Sequence, residues 1–115
     1  MDERLRVWEF TGAELDLLVA QACGIADARI EDGVCLRENR RPFQPSTQWA
    51  DGGPILTQAA ISVWRYPHLD SWHACTNFDF VRDEGLRTKH YCQGPTPLIA
   101  AMRSFVASKF WSDPQ

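Results

Sequence analysis

Residues 10–24, FTGAELDLLVAQACG, constrain the fold more than any other stretch of the chain. Thr11 stands where an N-cap is expected, and Glu14 follows three residues later, the spacing of a reciprocal capping box. Phe10 and Leu15 occupy the two positions of a hydrophobic staple. Leu15, Leu18, Val19 and Ala22 recur at helical spacing on one face, and Gly24 supplies the left-handed residue that closes a helix. The far end of the chain repeats this logic in GPTPLIAAMRSFVASKFW. There Thr96 is the cap, Pro97 the first helical residue, Leu98, Ile99, Met102, Phe105 and Val106 the apolar side, and Lys109 the cation at the negative end of the dipole. Two helices with apolar faces need a surface to cover, and the residues between them are β-rich.

The segment ARIEDGVCLR reads as a hairpin, because Asp32-Gly33 tolerates the positive φ angles of a type I' turn. Ile30, Val34 and Leu36 are its expected inward residues. ISVWRY, WHACTNFDFV and TKHYCQ are rich in β-branched and aromatic residues and are separated by PHLDS and RDEGLR, so they predict three consecutive antiparallel strands. RLRVWEF, before the first helix, predicts one more strand. Between hairpin and meander, ENRRPFQPST reads as loop. Ser46 or Thr47 is then expected to cap a short helical turn containing Trp49 and stopped by Gly52-Gly53, with Pro54 opening a second short helix, PILTQAA. The expected fold is α+β: an antiparallel sheet of about four to six strands packed as a sandwich against two main helices, with short helical turns in the central loop.

The chain's 115 residues, 44% hydrophobic and 23% charged, suit a single domain over residues 1–115 with one core. Its formal net charge of -3 argues against direct nucleic-acid binding, which relies on clustered Lys and Arg. Arg37, Arg40 and Arg41 form the one basic run, which a solvated loop also explains. No stretch approaches the length of a membrane span and the charged N-terminus is unlike an export signal, so a soluble, cytoplasmic protein is expected. In that reducing setting Cys23, Cys35, Cys75 and Cys92 are expected as free thiols.

FTGAELDLLVAQACG, FQPSTQWADGGPIL and GPTPLIAAMRSFVAS together resemble the three signature blocks of the NinX-like phage protein family, in matching order and spacing. The resemblance covers the middle and both ends of the chain. It implies phage or prophage origin, residence in the cytoplasm of a bacterial host and a compact α/β domain. The family carries no agreed enzymatic activity, so the resemblance leaves the chemistry open, and no cofactor is expected. The stretch HACTNFDFVRDEGLRTKHYC lies outside the signature blocks.

Two sets of residues are candidates for chemistry. His73 with Cys75, and His90 with Cys92, form a doubled His-x-Cys pattern; residues two apart on a strand share a face, so pairing two strands could gather a tetrahedral zinc set. Against this, the chain lacks the Cys-x-x-Cys knuckle of structural zinc sites. The plain alternative is buried thiols and partly exposed imidazoles on a sheet. A Cys-His nucleophile from the same residues lacks an orienting third group, and no catalytic residue is identified. The second set is Ser46, Thr47, Trp49, Asp51, Gly52 and Gly53, a tryptophan in a loop stiffened by prolines and glycines.

These features suggest a small phage-encoded accessory protein that binds a host or phage protein, in one form as a counter-defence inhibitor. The alternative is a small-molecule or nucleotide binder with a pocket at Ser46–Gly53. The same loop would also serve if it only joined two helices.

Overall fold

The computed structural model describes residues 9–81 and 85–110, with the backbone alone at 77–81 and 85–87. The strand expected at RLRVWEF lies outside the described residues, apart from its last two positions. The described fold is α+β. Three helices, α1 (Gly12–Ala22), α2 (Trp49–Gln58) and α3 (Pro97–Phe110), accompany eight strands. These are β1 (Arg29–Glu31), β2 (Val34–Arg37), β3 (Arg41–Pro42), β4 (Ser62–Trp64), β5 (Trp72–Cys75), β6 (Asn77–Val81), β7 (Gly85–Lys89) and β8 (Cys92–Gly94). They are divided among two three-stranded antiparallel sheets, β1-β2-β3 and β4-β5-β8, and a ribbon, β6-β7, in place of the single sheet expected.

The division has a local cause. Trp72 pairs with Gly94, His73 with Gln93 and Ala74 with Cys92, and the same register continues from Asn77 with Lys89 to Val81 with Gly85. β5–β6 and β7–β8 are therefore the two arms of one long hairpin, interrupted at Thr76 and His90. His90 has φ 56, a left-handed conformation that breaks the extended backbone. Thr76 spans the interruption with its N–H to the Lys89 carbonyl, 3.0 Å, and its hydroxyl lies 2.6 Å from His90 Nδ1. The expected RDEGLR turn is shorter than anticipated, since Gly85, Leu86 and Arg87 already belong to β7.

α3 is the central element. It contacts α1, α2, β4, β5 and β8, and every residue from Leu98 to Ala107 is buried. The expectation of one apolar side is thus exceeded, because neighbours close around the helix. Its buried polar residues have partners. Arg103 donates from Nε to the Phe10 carbonyl at 3.0 Å and from Nη1 to the Gln93 carbonyl at 2.7 Å. Ser104 donates to the His90 carbonyl at 2.7 Å. One helix thereby ties the segment before α1 and the β7–β8 arm of the interrupted hairpin to the core.

α1 ends as expected. Gly24, with φ 75, donates to Gln21 O and Ile25 donates to Ala20 O, the two bonds of a Schellman motif. Its start differs: Thr11 is the N-cap residue but makes no side-chain cap bond. The Asp32-Gly33 turn has φ angles of 52 and 77, as a type I' turn requires. The inward residue of that hairpin is Cys35, fully buried in the core, whereas its cross-strand partner Ile30 is exposed. Leu36 is buried, as expected, although it lies outside the main core cluster.

The central loop departs furthest from expectation. In place of two short helical turns broken at Gly52-Gly53, α2 runs unbroken through Gly52, Gly53 and Pro54. Ser46 and Thr47 precede it in a turn, and Gln48 is the N-cap residue, without a side-chain bond.

Candidate functional site

The segment from Phe43 to Gly53, a turn followed by the start of α2, is held from within. Phe43 and Pro45 are buried. The Ser46 N–H donates to Asp16 Oδ1 on α1 at 2.8 Å, inside the protein, and the Gln44 N–H donates to Asp51 Oδ2 on α2 at 2.9 Å. Thr47 and Gln48 both donate to the Gln44 carbonyl, at 3.1 and 2.8 Å. Gly52 is a packing requirement. A Cβ there would sit 2.3 Å from Pro45 O and 2.8 Å from Leu98 Cδ2. Adjacent Gly53 meets nothing closer than Trp49 Cε3, at 3.8 Å, so the indole lies along α2 beside it.

The six residues singled out from the sequence therefore divide. Ser46 and Gly52 are interior, and Asp51 spends its carboxylate on Gln44. Gly53 is half-buried. Thr47 and Trp49 are exposed, and Trp49, 55% accessible at the start of α2, is the large hydrophobic residue that the segment offers to solvent. Rigid backbone below and an open indole above make this a platform suited to contact with another surface.

Asp16 was missed as a site residue. In the sequence it is one more acid off the apolar face of a helix; only the tertiary fold lays Ser46 over it. Burial pushes its carboxyl up from the ordinary value of 3.8, opposed by hydrogen bonding to Ser46 and reinforced by the charge of Asp51. The Ser46 hydroxyl is buried beside that carboxyl without a well-formed hydrogen bond of its own.

The zinc set does not assemble. The register pairs Ala74 with Cys92 and His73 with Gln93, so Cys92 shares a face with Ala74, toward the core, while His73 and Cys75 lie on the other face. An offset of one residue between the two His-x-Cys pairs sends them to opposite sides. His73 Nδ1 instead shares a hydrogen bond with Tyr91 OH, and His90 Nδ1 with Thr76. Among the described residues no group of three or more His, Cys, Asp or Glu is placed to hold a metal ion. Burial pushes the Cys35 and Cys92 thiols up to about 11, which leaves them protonated and poorly nucleophilic at neutral pH.

The basic run is largely engaged as well. The Arg37 guanidinium lies over the Phe43 ring at 5.5 Å. Arg40 pairs with Glu31 at 3.2 Å, and Arg29 bonds the same carboxylate. An open groove of about 450 Å³ is lined by Asp27, Ala28, Arg29, Glu38 and Asn39, none of them in the Ser46–Gly53 loop.

The other conspicuous strings do structural work. A Cβ on Gly94 would come within 2.7 Å of the Ala100 nitrogen, so this glycine lets β8 run onto α3. Thr96 Oγ1 accepts the Ile99 N–H at 3.1 Å, the expected cap. No helix among the described residues is long and apolar enough to cross a membrane.

A search of curated proteins finds no match to the chain. The model of the family described as Bacteriophage P22, NinX matches residues 6–109, nearly the whole sequence, and the chain belongs to that phage protein family.

Proposed function

We propose that this protein is a small phage accessory factor that works by binding a host or phage protein in the bacterial cytoplasm, with the Trp49 platform as its contact surface. Inhibition of a host defence component is the form of this activity that suits a compact acidic phage protein. The observation that carries the proposal is the exposed indole of Trp49, the first residue of α2, in a segment whose residues Gln44, Ser46 and Gly52 are fixed by Asp51, Asp16 and Pro45. A large aromatic held in one place binds at low entropic cost and is the residue type that most often dominates an interface.

A pocket for a small molecule or nucleotide is the second reading. The interior placement of Ser46 and Gly52 favours the surface over the pocket, since these groups are already occupied by the fold.

Affinity capture from lysates of susceptible bacteria, with wild type and Trp49→Ala compared, tests the proposal. One protein recovered by the wild type and lost with Trp49→Ala is expected. Identical capture by both, or a thermal shift with nucleotides that depends on Thr47 and Trp49, would overturn it.

A further inference from the structure

The solvent face of the β4-β5-β8 sheet carries a second surface, sharing no residue with the Trp49 platform. Trp64 and His73 are directly opposed on neighbouring strands. Their rings are stacked, with centroids 5.6 Å apart and planes 16° apart. Tyr91, beside β8, stacks on His73 at 5.7 Å and 22° and lies 6.1 Å from Trp64. Tyr66, just after β4, meets His73 edge-on at 5.3 Å and lies 6.1 Å from His68. Five rings are thus linked on one face. Tyr66 and Tyr91 are 46% and 45% accessible, and Leu69 is exposed between β4 and β5.

The centre of this cluster is polar. His73 is 4% accessible, and its Nε2 is buried with no hydrogen-bond partner among the described residues. The bond between Nδ1 and Tyr91 OH fits either tautomer, so Nε2 is an unpaired donor in one and an unpaired acceptor in the other. Buried polar atoms are nearly always paired in folded proteins, so this one marks a polar centre beneath the exposed Tyr66 and Tyr91 rings.

Charge decides between occupants. Ring faces carry the negative side of the aromatic quadrupole and attract cations, arginine above all. Asp70 is exposed in the turn that carries Tyr66, and the protein as a whole carries a net charge of -3. Arg65, beside Tyr66 in the chain, is turned to the Leu69 carbonyl at 3.0 Å, and Lys89 belongs to β7, beyond the Thr76–His90 interruption. A polyanion is disfavoured by the protein's net charge, whereas a guanidinium finds the exposed rings of Tyr66 and Tyr91 and the exposed Asp70. We infer that this face docks an arginine-bearing basic segment of a partner protein, a guanidinium stacking on the exposed rings of Tyr66 and Tyr91 with Asp70 as its counter-charge.

The test is a fluorescence-anisotropy titration of the full chain with a labelled peptide of alternating glycine and arginine, beside the same peptide with citrulline for arginine. The wild type should bind the arginine peptide at least about tenfold more tightly than the citrulline one. Tyr66→Ala should weaken binding several-fold and Tyr66→Ala with Tyr91→Ala about tenfold or more. Asp70→Asn should flatten the salt dependence, and Trp49→Ala should leave binding unchanged, which separates this surface from the Trp49 platform. Thermal melts check that each variant is folded, and the exposed Tyr66→Ala and Asp70→Asn substitutions stand if the double variant is not. Equal affinity for both peptides, unchanged binding by Tyr66→Ala and Asp70→Asn, preferential binding of an oligothymidylate, or concentration-dependent dimerisation abolished by Tyr66→Ala would each overturn the inference.

Discussion

The carboxyl group of Asp16 accepts the backbone N–H of Ser46 at 2.8 Å inside the protein, joining the first helix to a loop thirty residues further along the chain. The contact carries a titratable group into the interior, and its pKa is raised chiefly by burial. The folded protein then holds the Asp16 proton more tightly than the unfolded chain does. Stability from this group is fully present below the unfolded value of 3.8 and is lost as pH rises through the higher folded value. Asp16→Asn keeps an oxygen for the Ser46 N–H and offers its amide to the buried Ser46 hydroxyl. Urea denaturation across the acidic range should show a flatter pH profile for Asp16→Asn and equal or greater stability at pH 7. Asp16→Ala should instead lose about 1–3 kcal/mol, the cost of leaving a buried N–H without an acceptor.

Adjacent glycines in α2 are predicted to respond oppositely. Gly52→Ala forces a Cβ to 2.3 Å from the Pro45 carbonyl, a contact with backbone that only a shift of the loop relieves. A loss of about 3 kcal/mol or more is expected, in line with severe overpacking. Gly53→Ala places its methyl in ordinary contact with Trp49 at 3.8 Å and gains helix propensity, about 0.5–1 kcal/mol. Thermal denaturation of the two variants side by side decides the matter; matching losses would show that both glycines are packing residues.

Ala60 closes α2 with φ 54, in the position that Gly24 holds after α1. Its N–H bonds Thr57 O and that of Ile61 bonds Leu56 O, so the Schellman motif is complete but carries a Cβ where none is favoured. Ala60→Gly should therefore raise stability by about 0.5–1 kcal/mol, read as a higher urea midpoint at unchanged m-value.

The four cysteines should separate by reactivity. Cys35, Cys75 and Cys92 are buried and Cys23 is exposed. Native protein treated with an aromatic disulfide reagent should release about one equivalent of thiolate quickly and the rest only on unfolding. Burial raises the Cys23 thiol too, so its rate should still be climbing above pH 8. Two fast equivalents would contradict the burial of Cys35, Cys75 and Cys92, and stoichiometric zinc in metal analysis would contradict the separation of the His-x-Cys pairs onto opposite faces.

The Thr96 cap offers a local check on α3. Thr96→Ala removes the acceptor of the Ile99 N–H and should cost about 1 kcal/mol in urea denaturation, with Thr96→Ser close to wild type. An equal loss with serine would mean that the threonine methyl, and not its hydroxyl, matters.

What the amino-acid sequence determined by itself was set by short-range energetics. The Asp32-Gly33 turn, the Gly24 terminus, the Thr96 cap and the presence of the terminal helices each depend on residues within one or two turns of one another, and each was legible. The NinX signature strings were legible too, although Gly52, Gly94 and Arg103 within them turn out to serve close packing and buried hydrogen bonds. Only the tertiary structure decided the rest. Gly52-Gly53 reads locally as a stop, yet α2 passes through it because the space taken by Pro45 and Leu98 admits no side chain at Gly52. The doubled His-x-Cys reads as one cluster, yet a pairing offset of one residue puts its halves on opposite faces. Asp16 and Trp49 were both visible as residues, but which would be buried under Ser46 and which left open to solvent depended on the packing of α1, α2 and α3. Such long-range contacts have no counterpart in local propensity, because their energies arise from steric exclusion and desolvation between segments far apart in the chain.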